Sequence, residues 1–226
     1  MYQPYRALFQ SIFPNAEIII DRFHVVQLLN RALNQIRIQL MRDIRYQRPR
    51  DYTKLKQLWK LILKRREDLD FQDYHTHRLF DGLITEQGMV DYLLNLDDKF
   101  YRAYHLTHQL IEAIQSHSHQ AFEEVLQEGR KYLLPRPLRT DWNTLFDYRT
   151  EIHHSLTYTL SNGPVEGMNH KIKNIKRSDY GYRNFGHLRC RIFLSCQLFS
   201  QEEPPYRHIV YNDERADHKY NTSMNG

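Results

Sequence analysis

From Arg22 onward the chain keeps one rhythm through most of its length: apolar side chains return every three or four positions, with few interruptions. Val25, Leu28, Leu29, Ala32, Leu33, Ile36 and Leu40 open the pattern, and that spacing puts them on one face of a helix. It predicts a long helix over residues 22–47, ended before Pro49 because the residue preceding a proline is pushed out of the helical region. The same period continues through Leu55, Leu58, Trp59, Ile62 and Leu63, then Met89, Tyr92, Leu93 and Leu96, then Phe100, Tyr104, Leu110, Ile111 and Ile114. Phe122, Val125, Leu126, Leu133 and Leu134 predict a further helix stopped by Pro135 and Pro137, and Trp142, Leu145, Phe146 and Ile152 one more. Residues 51–160 therefore read as almost entirely helical. Eight glycines and eight prolines in 226 residues supply too few turn signals for an all-β sandwich.

Both ends of this helical stretch differ from it. A short helix is expected over residues 4–13, closed by Pro14-Asn15. Ala16-Glu17-Ile18-Ile19-Ile20 is a β-branched apolar run, the best strand candidate in the chain, and Asp21 closes it. Near the other end, Asn162-Gly163-Pro164 is a helix start, a capping-type residue followed by proline in the first turn. That helix should run to about Lys176, followed by a turn at Asp179-Tyr180-Gly181-Tyr182 and a last helix over residues 184–199. On that helix Cys190 and Cys196 read as small core residues. The polar stretch from residue 201, with Pro204-Pro205, reads as a flexible tail.

Composition narrows the function classes. With 41% hydrophobic and 26% charged residues the chain is ordinary globular protein. No apolar run approaches the ~18–20 residues of a membrane span, and the N-terminus lacks a secretory pattern. Two cysteines exclude a disulfide framework. The net charge of +5 is compatible with a polyanionic partner. No phosphate-cradling glycine-rich loop and no Gly-x-Ser-x-Gly elbow appears. His75/His77, His117/His119 and His153-His154 invite a metal reading. Neighbours two apart do not share a helix face, and no Cys/His partner follows at zinc spacing, so structural zinc is set aside.

Two carboxylates stand at informative places. Asp21 lies where the strand candidate meets the long helix, a position that suits either a helix N-cap or a ligand site at a sheet end. Glu166 lies in the first turn of its helix, where the helix dipole alone favours an acid. Asn169, His170, Lys173 and Arg177 follow it close to one stripe, and Lys171 and Lys176 widen the basic surface. An acid opening such a face could hold a cation while the basic residues hold flanking phosphates. A solvated basic helix is the other reading.

Two blocks then resemble a known family. The first is Phe13-Pro14-Asn15-Ala16 with Ile20-Asp21-Arg22-Phe23-His24-Val25-Val26 and Asn30-Arg31-Ala32-Leu33. The second runs from Ser161-Asn162-Gly163-Pro164-Val165-Glu166-Gly167-Met168-Asn169-His170-Lys171-Ile172-Lys173 through Ile175-Lys176-Arg177 to Tyr180-Gly181-Tyr182-Arg183-Asn184-Phe185. Together they closely resemble the catalytic domain of bacterial insertion-sequence DDE transposases of the ISL3 group, over about residues 1–199. The resemblance implies a mostly α chain: a truncated ribonuclease-H-like α/β core retaining one clear strand, with a large all-helical insertion. The implied parts are a partial core at 1–47, the insertion at 48–160, C-terminal core helices at 161–200 and the tail at 201–226. It implies Asp21 and Glu166 as catalytic, metal-holding carboxylates, and Asn169, Lys173, Lys176 and Arg177 as DNA-binding residues. Mg²⁺ or Mn²⁺ is the implied cofactor, and transposon ends and target DNA are the implied partners. The implied setting is bacterial cytoplasm, nucleoid-associated, with no membrane partner and with homo-oligomers or hetero-oligomers with an intact transposase open to it. The family's first catalytic Asp precedes the segment that begins here at Met1-Tyr2, so the chain is expected to be a fragment inactive on its own. The alternative is a non-catalytic DNA-binding or regulatory remnant of a transposase.

Overall fold

The computed structural model describes residues 3–158, 160, 162–178 and 184–196. The chain divides into two units, Met1–Asn162 and Gly163–Gly226.

The first unit is built on α2 (Arg22–Ile44), against which α3 (Pro49–Gln57), α6 (Asp98–Gln115) and α8 (Arg136–Asp147) pack. The periodic face explains why. Val25, Leu29, Ala32, Leu33, Ile36 and Leu40 are all buried, while Leu28 is only partly so. Each Val, Leu or Ile among them stabilises the fold by roughly 1.5–3 kcal/mol through removal from water. Pro49 opens α3 at a position where its missing N–H costs nothing. The remaining elements are α1 (Gln3–Ile12), α4 (Trp59–Leu63), α5 (Glu86–Leu94), α7 (His119–Gly129) and α9 (Arg149–Thr157). Thr85, Asp97 and Ser118 cap α5, α6 and α7, each accepting a backbone N–H of the first turn. The α7–α8 crossing is unusually close. The Trp142 indole N–H donates to the Leu126 carbonyl at 2.9 Å. A Cβ at Gly129 would lie 2.4 Å from that ring.

Helix α1 is held to α9 through polar groups. Arg6 pairs with the buried Glu151 at 2.5 Å and donates to the Asp147 carbonyl at 3.4 Å. Its guanidinium lies over the Tyr148 ring, 5.2 Å from the centroid. Outside that contact the helix exposes Leu8, Phe9 and Ile12.

The mostly helical expectation holds, with two local differences. Residues 16–20 are irregular and belong to no sheet among the described residues. Their polar groups turn to α9 instead: the Ile20 N–H donates to the Glu151 carbonyl at 3.4 Å, and a His154 ring nitrogen donates to the Ile18 carbonyl at 3.0 Å. Two backbone groups of the expected strand are thus satisfied by α9 in place of a strand partner. Conversely, the expected helical continuity breaks at a small antiparallel pair, β1 (His75–Thr76) with β2 (Leu83–Ile84), in register His75 to Ile84. Gly82, at φ +87°, supplies the left-handed residue before β2.

The second unit contains α10 (Gly163–Ser178) and α11 (Phe185–Cys196), which pack on each other. Met168, Ile172 and Ile175, at helical spacing, are the partly buried apolar residues of α10, and neither helix has a fully buried one. The cysteines correct the sequence reading: Cys190 is exposed and Cys196 intermediate. The turn expected at residues 179–182, the end of the last helix and the tail lie outside the described residues.

Candidate functional site

Asp21 ends an irregular segment and begins α2, the helix on which the first unit is built. Its backbone is extended, as an N-cap requires, and its Oδ1 accepts the Phe23 N–H at 2.8 Å. Its Oδ2 accepts a second amide, that of Asn162, at 3.0 Å across 141 positions of sequence. Partial burial pushes this carboxyl upward, but the amides of Asn162 and Phe23, with the neighbouring His24 and Arg22 charges, outweigh it and hold the group below its ordinary value. Asp21 is therefore an anion at neutral pH. A carboxylate has about four acceptor positions, so two amide bonds leave it able to bind a cation.

The carboxylate borders an open cleft of about 710 Å³ lined by Glu17, Ile19, His24, Arg31, Leu160 and Asn162 among others. Glu17 accepts the Tyr158 hydroxyl, a bond that pushes that phenol upward. The cleft thus combines two acids, a histidine and an arginine on an apolar floor. Such a donor set suits a hard cation beside an anionic ligand. Sequence reasoning found Asp21 but not the Asn162 bond or the Glu17, His24 and Arg31 lining. Arg31 lies ten positions from Asp21, a spacing that carries no signal until α2 is known to be continuous.

The other candidate residues sit on α10, in the second unit. Glu166 is in its first turn, and Lys176 and Arg177 are in its last, signs that complement the helix dipole at both ends. Glu166, Asn169, Lys173, Lys176 and Arg177 are all exposed. Among the described residues no group of three or more His, Cys, Asp or Glu side chains forms a metal cluster. No helix there is long and apolar enough to cross a membrane.

Comparison with known proteins adds the family. An ATP-dependent protease of Lactococcus lactis subsp. lactis is 32% identical over 111 residues, 49% of this chain and 35% of that protein. The transposase for insertion sequence element IS1001 of Bordetella parapertussis is 30% identical over 185 residues, 81% of this chain and 43% of that protein. The chain thus spans less than half the length of either relative. No solved structure matches. The profile of the ISL3 group of DDE transposases, described as transposase, matches residues 1–192, and the chain belongs to that family.

Proposed function

We propose that this chain forms part of a DNA transposase catalytic domain that acts by divalent-metal-dependent DNA strand cleavage and strand transfer. In this reading residues 1–47 and 161–200 contribute to a ribonuclease-H-like core and residues 48–160 are a helical insertion. Asp21 and Glu166 are the metal-holding carboxylates, and Asn169, Lys173, Lys176 and Arg177 contact DNA phosphates. The observation that carries the reading is the doubly anchored Asp21. A helix cap needs only the Phe23 amide. The further bond to Asn162, four residues before Glu166 in the chain, and the cleft at the carboxylate go beyond capping.

The donors fit Mg²⁺ or Mn²⁺, which prefer oxygen ligands. When bound, such ions activate the attacking oxygen and stabilise the leaving one. The chain's own residues do the rest. The amides of Phe23 and Asn162 keep the Asp21 carboxylate ionised and fix its orientation. The basic side chains of α10 neutralise phosphates and set the strand's register without reading bases.

The test is Mg²⁺- or Mn²⁺-dependent cleavage of DNA bearing the element's ends, by this chain and by the chain extended at its N-terminus. Cleavage by the extended chain, abolished by Asp21→Asn and by Glu166→Gln, supports the reading. Cleavage that survives either substitution overturns it. A non-catalytic DNA-binding role predicts instead salt-sensitive binding that survives Glu166→Gln, with no cleavage by either chain.

A further inference from the structure

Two of the histidine pairs that sequence spacing could not join meet in the first unit. His119 and Glu123 lie four apart on α7, and His153 and Thr157 lie four apart on α9. Each pair therefore shares a helix face, and the two faces interleave. His153 Nε2 lies 2.6 Å from a Glu123 carboxylate oxygen. His119 Nε2 lies 3.3 Å from the Thr157 hydroxyl. Between them, His119 Nδ1 and His153 Nδ1 are 2.6 Å apart. The ring planes are parallel to within 2°, with centroids 4.9 Å apart. Parallel planes joined by a 2.6 Å contact are closer than the roughly 3.5 Å that face-to-face carbon atoms need. The rings therefore meet edge to edge, nitrogen to nitrogen. Buried Phe122 backs His153, its ring edge-on at 83°.

The hydrogen-bond accounting narrows the tautomers. A carboxylate only accepts, so His153 Nε2 carries a hydrogen. When the Thr157 hydroxyl donates to the His153 carbonyl at 3.1 Å, its oxygen accepts from His119 Nε2, which then also carries a hydrogen. In two neutral imidazoles both Nδ1 atoms then present lone pairs to each other. That contact is repulsive unless a cation lies between them.

We propose that His119 and His153 bind a divalent transition-metal ion of the Zn²⁺ class through their Nδ1 atoms, with Glu123 and Thr157 as positioning residues and water on the exposed side. A small opening of the pair, pivoting on the anchored Nε2 ends, brings both nitrogens to the Zn–N length of about 2.0–2.1 Å. A carboxylate behind a ligating histidine is the usual means of fixing ring orientation and raising ligand basicity. This site is separate from the Asp21 cleft and needs no DNA chemistry. Its ion would bridge α7 to α9.

The test is calorimetric titration of the full chain with Zn²⁺ alone at pH 7.5. The expected result is one ion per chain, with affinity falling at least tenfold in His119→Gln and in His153→Gln. Glu123→Gln should cost roughly 10–100-fold, and the double variant His75→Gln/His77→Gln should change nothing. If the ligand variants lose helicity by circular dichroism, protection of His119 and His153 in the unaltered chain from diethyl pyrocarbonate by Zn²⁺ locates the site. No uptake of Zn²⁺, uptake that survives both ligand substitutions, or absence of protection overturns the proposal. Paired imidazole resonances that titrate with pH but ignore Zn²⁺ also overturn it, leaving a shared proton as the bridging cation.

Discussion

Helices α2 and α10 both start at an acid and both carry basic residues, yet they are held in opposite ways. Seven residues of α2 are buried, and Asp21 caps it from the extended side. No residue of α10 is buried, and Glu166 in its first turn and Lys176 and Arg177 in its last sit where the dipole favours them. A helix of the first kind is fixed by what it excludes from water. One of the second kind has a face available for partners and draws less on its own packing. The pair therefore separates two uses of a carboxylate at a helix start, one set in a rigid frame and one on an accessible surface.

That contrast can be broken by truncation. Leu29→Ala or Leu33→Ala, at positions with 0% exposure, should cost about 2–5 kcal/mol in denaturant unfolding. Ile172→Ala on partly buried α10 should cost well under half as much. Equal losses would show that the two helices are supported alike. Next in size is the α1 anchor. Arg6→Ala leaves the buried Glu151 carboxylate without its cation, and about 1–3 kcal/mol should be lost, with faster hydrogen exchange in α1. An unchanged α1 would show that its apolar side chains hold it instead.

Substitution at Asp21 sharpens the distinction between cap and ligand. Asparagine caps a helix about as well as aspartate, whereas alanine costs about 1 kcal/mol. Asp21→Asn keeps the cap but sets an NH2 donor against the Asn162 N–H, so it should melt somewhat below the unaltered chain, and Asp21→Ala further below it. A large loss in Asp21→Asn would mean that the charge itself, facing the Asn162 and Phe23 amides, carries the stability.

The smallest expected effect is electrostatic. Burial, chiefly, pulls the His108 imidazole below its ordinary value, against a hydrogen bond to the Ile62 carbonyl at 3.1 Å. His105 and His77 shift the same way, again through burial. A depressed histidine binds fewer protons folded than unfolded. Its contribution is therefore complete above the unfolded value of about 6.5 and is lost as the pH falls through the lower folded value. Urea midpoints should fall between pH 7.5 and 5.5, and less so in His108→Gln. A flat profile would remove burial of His108 as a stability term.

The sequence revealed what a single element can encode. The buried face of α2, its end before Pro49 and the cap at Asp21 all follow from local spacing, and all are present. The β-branched run at residues 16–20 misled because β propensity describes a fit to neighbouring strands, and this segment meets α9 instead. The two-residue strands β1 and β2 are too short to show alternation. The Asn162 amide at Asp21 and the interleaved His119 and His153 faces depend on chain segments far apart in sequence, so no spacing rule could supply them.

The α7–α8 crossing, finally, limits how this chain can drift. With a methyl at position 129 excluded by the indole of Trp142, neither residue can change size alone. Relatives should swap the two positions together, a larger side chain at one accompanied by a smaller ring at the other. Gly129 is thus required by its neighbour's bulk and not by a left-handed backbone.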